Sequence, residues 1–126
     1  MITKRRDIAV LQEARQYIED NYRKEIRVDS LCRTFGINRT KLQEGFGQLF
    51  GVSVHSHLLQ LRMQKARELL LETDDSVKSI AIEVGYRSIS SFTRLFTRMH
   101  GAPPTQFRSE QLTTGKLSRE MGRSDK

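Results

Sequence analysis

No tryptophan, one cysteine and two prolines occur in the 126 residues of this chain, and the scarcities remove several explanations at once. A single cysteine, Cys32, cannot form an intrachain disulfide or make a Cys-rich zinc site by itself. It falls on the inner face of a predicted helix, which predicts a buried, inert side chain and not a nucleophile. The three histidines, His55, His57 and His100, show no ligand spacing with a cysteine or a carboxylate, so no metal and no other cofactor is expected. No apolar run approaches the roughly 18 residues of a membrane span. Near the start, Thr3-Lys4-Arg5-Arg6-Asp7 leads into an alternating polar pattern where a signal peptide would have an apolar block. A cytoplasmic address is expected, with no membrane partner. Acidic residues are also short, 15 against 22 basic ones, for a net charge of +7 and a pI near 10.0. Such a surface suits a polyanion.

What is present is helical periodicity. Ile8, Leu11, Ala14, Tyr17, Ile18 and Tyr22 predict a first amphipathic helix from Ile8 to Tyr22. Val28, Leu31, Cys32 and Phe35 predict a short second helix stopped by Gly36, and Leu42, Phe46, Leu49 and Phe50 a third closed by Gly51. Ser53 to Thr73 reads as one long helix capped by Ser53, with Val54, Leu58, Leu61, Ala66, Leu69 and Leu70 on its apolar face. After Asp74-Asp75, Ser76 caps another helix carrying Val77, Ile80, Ala81 and Val84, and Gly85 ends it. Phe92, Leu95, Phe96 and Met99 begin the next apolar face, and Ala102-Pro103-Pro104-Thr105 opens a last short helix carrying Phe107. From Ser109 to Lys126 the chain is polar, and a frayed or disordered tail is expected.

Helix, glycine turn, helix occurs twice, and the two occurrences are copies. Val28, Leu31, Cys32, Phe35, Gly36 and Ile37 recur 49 positions later as Val77, Ile80, Ala81, Val84, Gly85 and Tyr86. Past the turn the offset is 50: Leu42, Phe46, Phe50, Gly51 and Val54 correspond to Phe92, Phe96, His100, Gly101 and Pro104. A bundle with unrelated apolar stripes would not keep register through a glycine turn. The sequence therefore predicts two helix-turn-helix units, residues 7–52 and 74–110, joined by a spacer helix over 53–73 and followed by a tail over 111–126. A spacer of about 20 residues spans roughly 30 Å, close to the roughly 34 Å of one duplex turn, so it suits two heads on successive major grooves.

The order Ile80-Ala81, Gly85-Tyr86, Ser88, Phe92, Arg94, Phe96, Gly101, Pro104, Phe107-Arg108 resembles the signature of the AraC/XylS family of bacterial transcription regulators. The resemblance implies an all-α, homeodomain-like fold of about seven helices and a sequence-specific regulator of double-stranded DNA. It also implies that Arg62 ties the spacer to the first unit, that RNA polymerase is a further partner and that the protein is nucleoid-associated. A lone chain is expected to act as a monomer, with dimers if it belongs to a longer regulator.

Once Leu42, Phe46 and Phe50 are buried, the opposite early face of the third helix shows Arg39, Thr40, Gln43, Glu44 and Gly47, and the offset carries these to Ile89, Ser90, Thr93, Arg94 and Thr97. In AraC-like proteins these positions touch bases. The expected base readers are thus Arg39, Thr40, Gln43, Ile89, Ser90, Thr93 and Arg94, where Arg94 suits a guanine, Gln43 an adenine and Ile89 a thymine methyl. Lys41, Arg87, Ser88, Thr97, Arg98 and Thr105 are expected at phosphates. Glu44 would repel phosphates and is expected to pair with Lys41. The first unit departs from the family at Arg27, where a capping Ser or Thr is usual, and at Gly45, which weakens a helix by about 1 kcal/mol. The rival reading is a helical protein–protein adaptor, whose faces would carry apolar anchors in place of Arg, Thr, Gln and Ser. No catalytic site is read in the chain.

Overall fold

The computed structural model describes residues 4–111. Every regular element there is a helix: α1 (Arg5–Asn21), α2 (Val28–Phe35), α3 (Arg39–Phe50), α4 (Val54–Glu72), α5 (Val77–Glu83), α6 (Ile89–His100) and α7, residues 104–111. Among the described residues none is long and apolar enough to cross a membrane. Two compact units divide between Arg62 and Met63, inside α4, so the first half of the long helix belongs to one core and the second half to the other.

The first unit closes over Leu11, Ala14 and Ile18 of α1, Leu31 of α2, Leu42 and Phe46 of α3, Val54 and Leu58 of α4, and Ile37 in the turn. These are the positions that helical spacing assigns to the inner face. Phe50 stacks edge-on against Phe46 at 4.7 Å, and the Arg15 guanidinium lies 4.8 Å over the Phe50 ring. On α4, Arg62 donates from Nε to the Tyr22 carbonyl at 2.8 Å and from Nη2 to the Lys24 carbonyl at 2.9 Å. Tyr22 is the C-cap of α1, where carbonyls lack intrahelical partners and the helix dipole favours a cation.

The second unit buries Met63, Ala66 and Leu70 of α4, Ile80 and Ala81 of α5, Val84 after it, Phe92 and Phe96 of α6, and Phe107 of α7. Phe96 meets Phe107 edge-on at 5.4 Å. His100 Nε2 lies 3.3 Å from the Met63 carbonyl oxygen, to which it donates in the Nε2–H tautomer. An arginine again collects free carbonyls at a helix end: Arg108 donates from Nε to the Leu70 carbonyl at 3.0 Å and from Nη2 to the Thr73 carbonyl at 3.1 Å.

Several expectations are corrected. α1 starts at Arg5, a turn before Ile8. Cys32 is half-buried, packed on the rim of the first core. Gly45 is buried inside α3 at the place where α6 has the larger Leu95, so close packing accompanies its cost in helix propensity. Met99 and Leu49, expected on apolar faces, are 39% and 36% exposed. Ser109 to Gln111 are helical, and the rest of the expected disordered tail lies outside the described residues.

Candidate nucleic-acid interface

Each recognition helix is aimed by a short piece of backbone whose hydrogen bonds repeat with the sequence. Gly36 takes φ +62°, the Ile37 N–H reaches back to the Cys32 carbonyl at 3.2 Å, and 49 residues later Gly85 takes φ +103° while the Tyr86 N–H reaches the Ala81 carbonyl at 2.9 Å. That bond repeats while the helix end does not: the Gly36 N–H bonds the Cys32 carbonyl as the C-cap of α2, whereas α5 is capped by Val84 and the Gly85 N–H bonds the Ile82 carbonyl. In both turns a left-handed glycine redirects the chain. The next cap repeats at an offset of 50: Asn38 Oδ1 accepts from the Lys41 N–H at 2.8 Å, and Ser88 Oγ accepts from the Ser91 N–H at 3.2 Å. The extra residue of the second turn therefore lies between Tyr86 and Ser88. At the start of α2 the duplication fails. Ser76 caps α5 by accepting from the Ser79 N–H at 3.0 Å, whereas Arg27 makes no capping bond and pairs with Glu25 at 3.1 Å.

With Leu42 and Phe46 inward, α3 leaves Arg39, Thr40, Gln43 and Glu44 exposed and Gly47 half-buried. With Phe92 and Phe96 inward, α6 leaves Ile89, Ser90 and Arg94 exposed and Thr93 half-buried. Ser90, Arg94 and Arg98 follow one another at single-turn spacing, so they form one row along α6. Arg87, Arg98 and Thr105 are exposed; Ser88 is exposed as well as capping. Thr97 is half-buried, and its hydroxyl donates to the Thr93 carbonyl at 2.7 Å, folding that side chain back on its own helix.

Two charge contacts were not anticipated from spacing. Arg39 Nη1 donates to Asp29 Oδ1 at 2.7 Å across the turn, so the guanidinium at the head of α3 is held by a carboxylate from α2. Opposite charges ten residues apart on either side of the turn were the available signal. The expected Lys41–Glu44 pair is replaced: Lys41 Nζ lies 3.6 Å from Asp7 Oδ2 of α1, and Glu44 is exposed on α3. Asp7 has its carboxylate largely inside the unit, and a less solvated anion attracts an ammonium more strongly than an exposed one does.

His57 packs its ring against Phe46 at 5.7 Å, with Nε2 3.8 Å from Glu19 Oε1. Burial pushes its pKa below the ordinary 6.5; Glu19 opposes that shift and Arg15 adds to it. The histidine belongs to the core of the first unit and is remote in role from the exposed face of α3. Among the described residues no group of three or more His, Cys, Asp or Glu side chains is placed to hold a metal.

Residues 31–110, more than half of the chain, match the family described as "Helix-turn-helix domain". The C-terminal domain of AraT, a response regulator from Geobacillus stearothermophilus, superposes with a TM-score of 0.77 at 30% identity, over 80% of this chain and 84% of that one. The chain belongs to the AraC/XylS family. Another AraC-type likeness is the DNA-binding domain of AdpA, solved in complex with a target DNA, with a TM-score of 0.75 at 25% identity over 79% of this chain and 90% of that one. Among AraC/XylS relatives, the virulence regulon transcriptional activator VirF of Yersinia enterocolitica is 31% identical over 82% of this chain. The HTH-type transcriptional regulator ExsA of Pseudomonas aeruginosa is 35% identical over 73% of it. The chain spans only 38% and 33% of their lengths. The family and the fold are those of DNA-binding regulators.

Proposed function

We propose that this domain is the DNA-reading part of a bacterial transcription regulator, binding duplex DNA sequence-specifically with α3 and α6 in successive major grooves. The observation that carries the reading is the duplicated turn, which presents two polar recognition faces of different side chains in a basic protein. Base reading falls to Arg39, Thr40 and Gln43 on α3 and to Ile89, Ser90, Thr93 and Arg94 on α6. Phosphates fall to Lys41, Arg87, Ser88, Thr97, Arg98 and Thr105, where Ser88 can still donate its hydroxyl proton after accepting from the Ser91 N–H. Thr97 is the weakest of these, since its proton is already given to a carbonyl. The domain acts in the cytoplasm as a monomer, and the name of VirF favours activation, with RNA polymerase as the further partner.

Selection of bound sequences from a random duplex pool tests this. The expected product is an asymmetric site covering about two adjacent major grooves and bound by one protein molecule. A pool with no enriched sequence, or a strict palindrome bound only by dimers, would refute it.

A further inference from the structure

The basic run Lys4-Arg5-Arg6 has no part in the recognition helices, yet the fold brings two of its residues to the head of α3. A cavity of about 220 Å³ in the first unit is lined by Lys4, Arg6, Asp7 and Val10 of the α1 end, Gly36, Ile37 and Asn38 of the turn, and Lys41 of α3. Three cations face one carboxylate there. Asp7 is matched to Lys41 at 3.6 Å, and Lys4 and Arg6 are exposed with no side-chain partner among the described residues. Asn38 spends its Oδ1 on the Lys41 N–H, which leaves the protons of its amide nitrogen to donate.

We propose that this cavity seats a phosphodiester of the DNA backbone beside the groove that α3 enters, with Lys4 and Arg6 as its charged contacts. The proposal rests on the reading of α3 as a groove helix. The cavity is built from the first turn of α3, the same turn that carries Arg39 and Thr40, and the backbone flanking a major groove passes the end of the helix that enters it. The two cations are not part of the internal repeat. At the 49-residue offset from Lys4 and Arg6 the chain carries Ser53, which caps α4, and His55, both still within the first unit. The first unit is also the one whose head arginine is tied to Asp29 and whose face shows Glu44. Backbone charge positions this unit where base contacts are fewer.

The test is the double variant Lys4→Ala/Arg6→Ala, compared with the parent on the selected site and on random duplex across a salt series. Both side chains are exposed, and an unchanged melting curve shows that the variant folds. The slope of log affinity against log salt is expected to fall by about two, with both DNAs weakened by the same factor and base preference unchanged. Methylphosphonates placed singly along the site then locate the contact: one position beside the first groove should weaken the parent and leave the variant unaffected. An unchanged slope, or a loss confined to the selected site, overturns the proposal. Saturable binding of inorganic phosphate by the DNA-free protein, lost in the double variant, would assign the cavity to a free anion and also overturn it. Arg39→Ala and Gln43→Ala check the groove reading separately: if neither alters base preference that reading fails, while a reduced slope still reports phosphate contact at Lys4 and Arg6.

Discussion

Replacing Arg62 with alanine should unfold the first unit more easily by about 2 to 3 kcal/mol. The guanidinium makes two charge-assisted bonds, to the Tyr22 carbonyl at 2.8 Å and the Lys24 carbonyl at 2.9 Å. A hydrogen bond to a charged group contributes about 1.5 to 3 kcal/mol when its partner is left buried and unpaired. The Tyr22 bond is partly buried and takes a value near the lower end of that range, whereas the Lys24 bond is exposed and adds less than about 1 kcal/mol. The rest is lost contact along the apolar stem of a half-buried side chain. Arg62→Lys keeps the charge but cannot serve both carbonyls in one plane, so it should lose about half as much. Urea unfolding followed by far-ultraviolet circular dichroism and tyrosine fluorescence measures both, with Tyr17 and Tyr22 reporting on this unit. A change below about 0.5 kcal/mol for Arg62→Ala would show that water replaces the arginine at those carbonyls, and the account of how α4 is held to α1 would be wrong.

Further perturbations separate the roles of exposed and buried charge. Arg94→Ala should cost about 1 to 3 kcal/mol on the selected site and relax preference at one base pair, while Arg98→Ala should weaken all sequences alike and lower the salt slope by about one; an unchanged ratio of specific to random binding for Arg94→Ala would remove it from the readers. Asp29→Ala should raise affinity for random duplex, because an acidic group beside the DNA face is gone, and should loosen preference at the same base pair that Arg39→Ala affects; loosening at a different base pair, or none, would show that the 2.7 Å pair does not orient Arg39. His57 has a folded pKa below its unfolded value near 6.5, so the unfolded chain binds the proton first and stability falls as pH drops below about 6.5. The stability of His57→Gln should vary less between pH 7.5 and pH 5.5, and urea midpoints that shift equally in both proteins would refute the role of burial.

The sequence by itself determined the helices, their stops and the duplication, because each depends on contacts within about one turn. A left-handed glycine at 36 or 85, and a capping side chain at 38, 53, 76 or 88, meets a backbone group three to five residues away, so the residue type and its position already contain the interaction. The faces of α3 and α6 were legible for the same reason, since burying Leu42 and Phe46, or Phe92 and Phe96, leaves only one side to solvent. The role of Arg62 was available through the family resemblance alone; Arg108, which does the same in the second unit, was missed because its carbonyl partners lie 38 and 35 residues away. Tertiary structure also decided that Lys41 pairs with Asp7, that Arg39 is held by Asp29, and that Cys32 sits at the rim of the core. Spacing along one helix names the neighbours a charge could have, but the partner it takes is set by which element packs alongside and how far that packing excludes water. The cavity beneath Lys4 and Arg6 is of this kind: it exists only where the start of α1 meets the turn before α3, two stretches about 30 residues apart that nothing but the fold brings together.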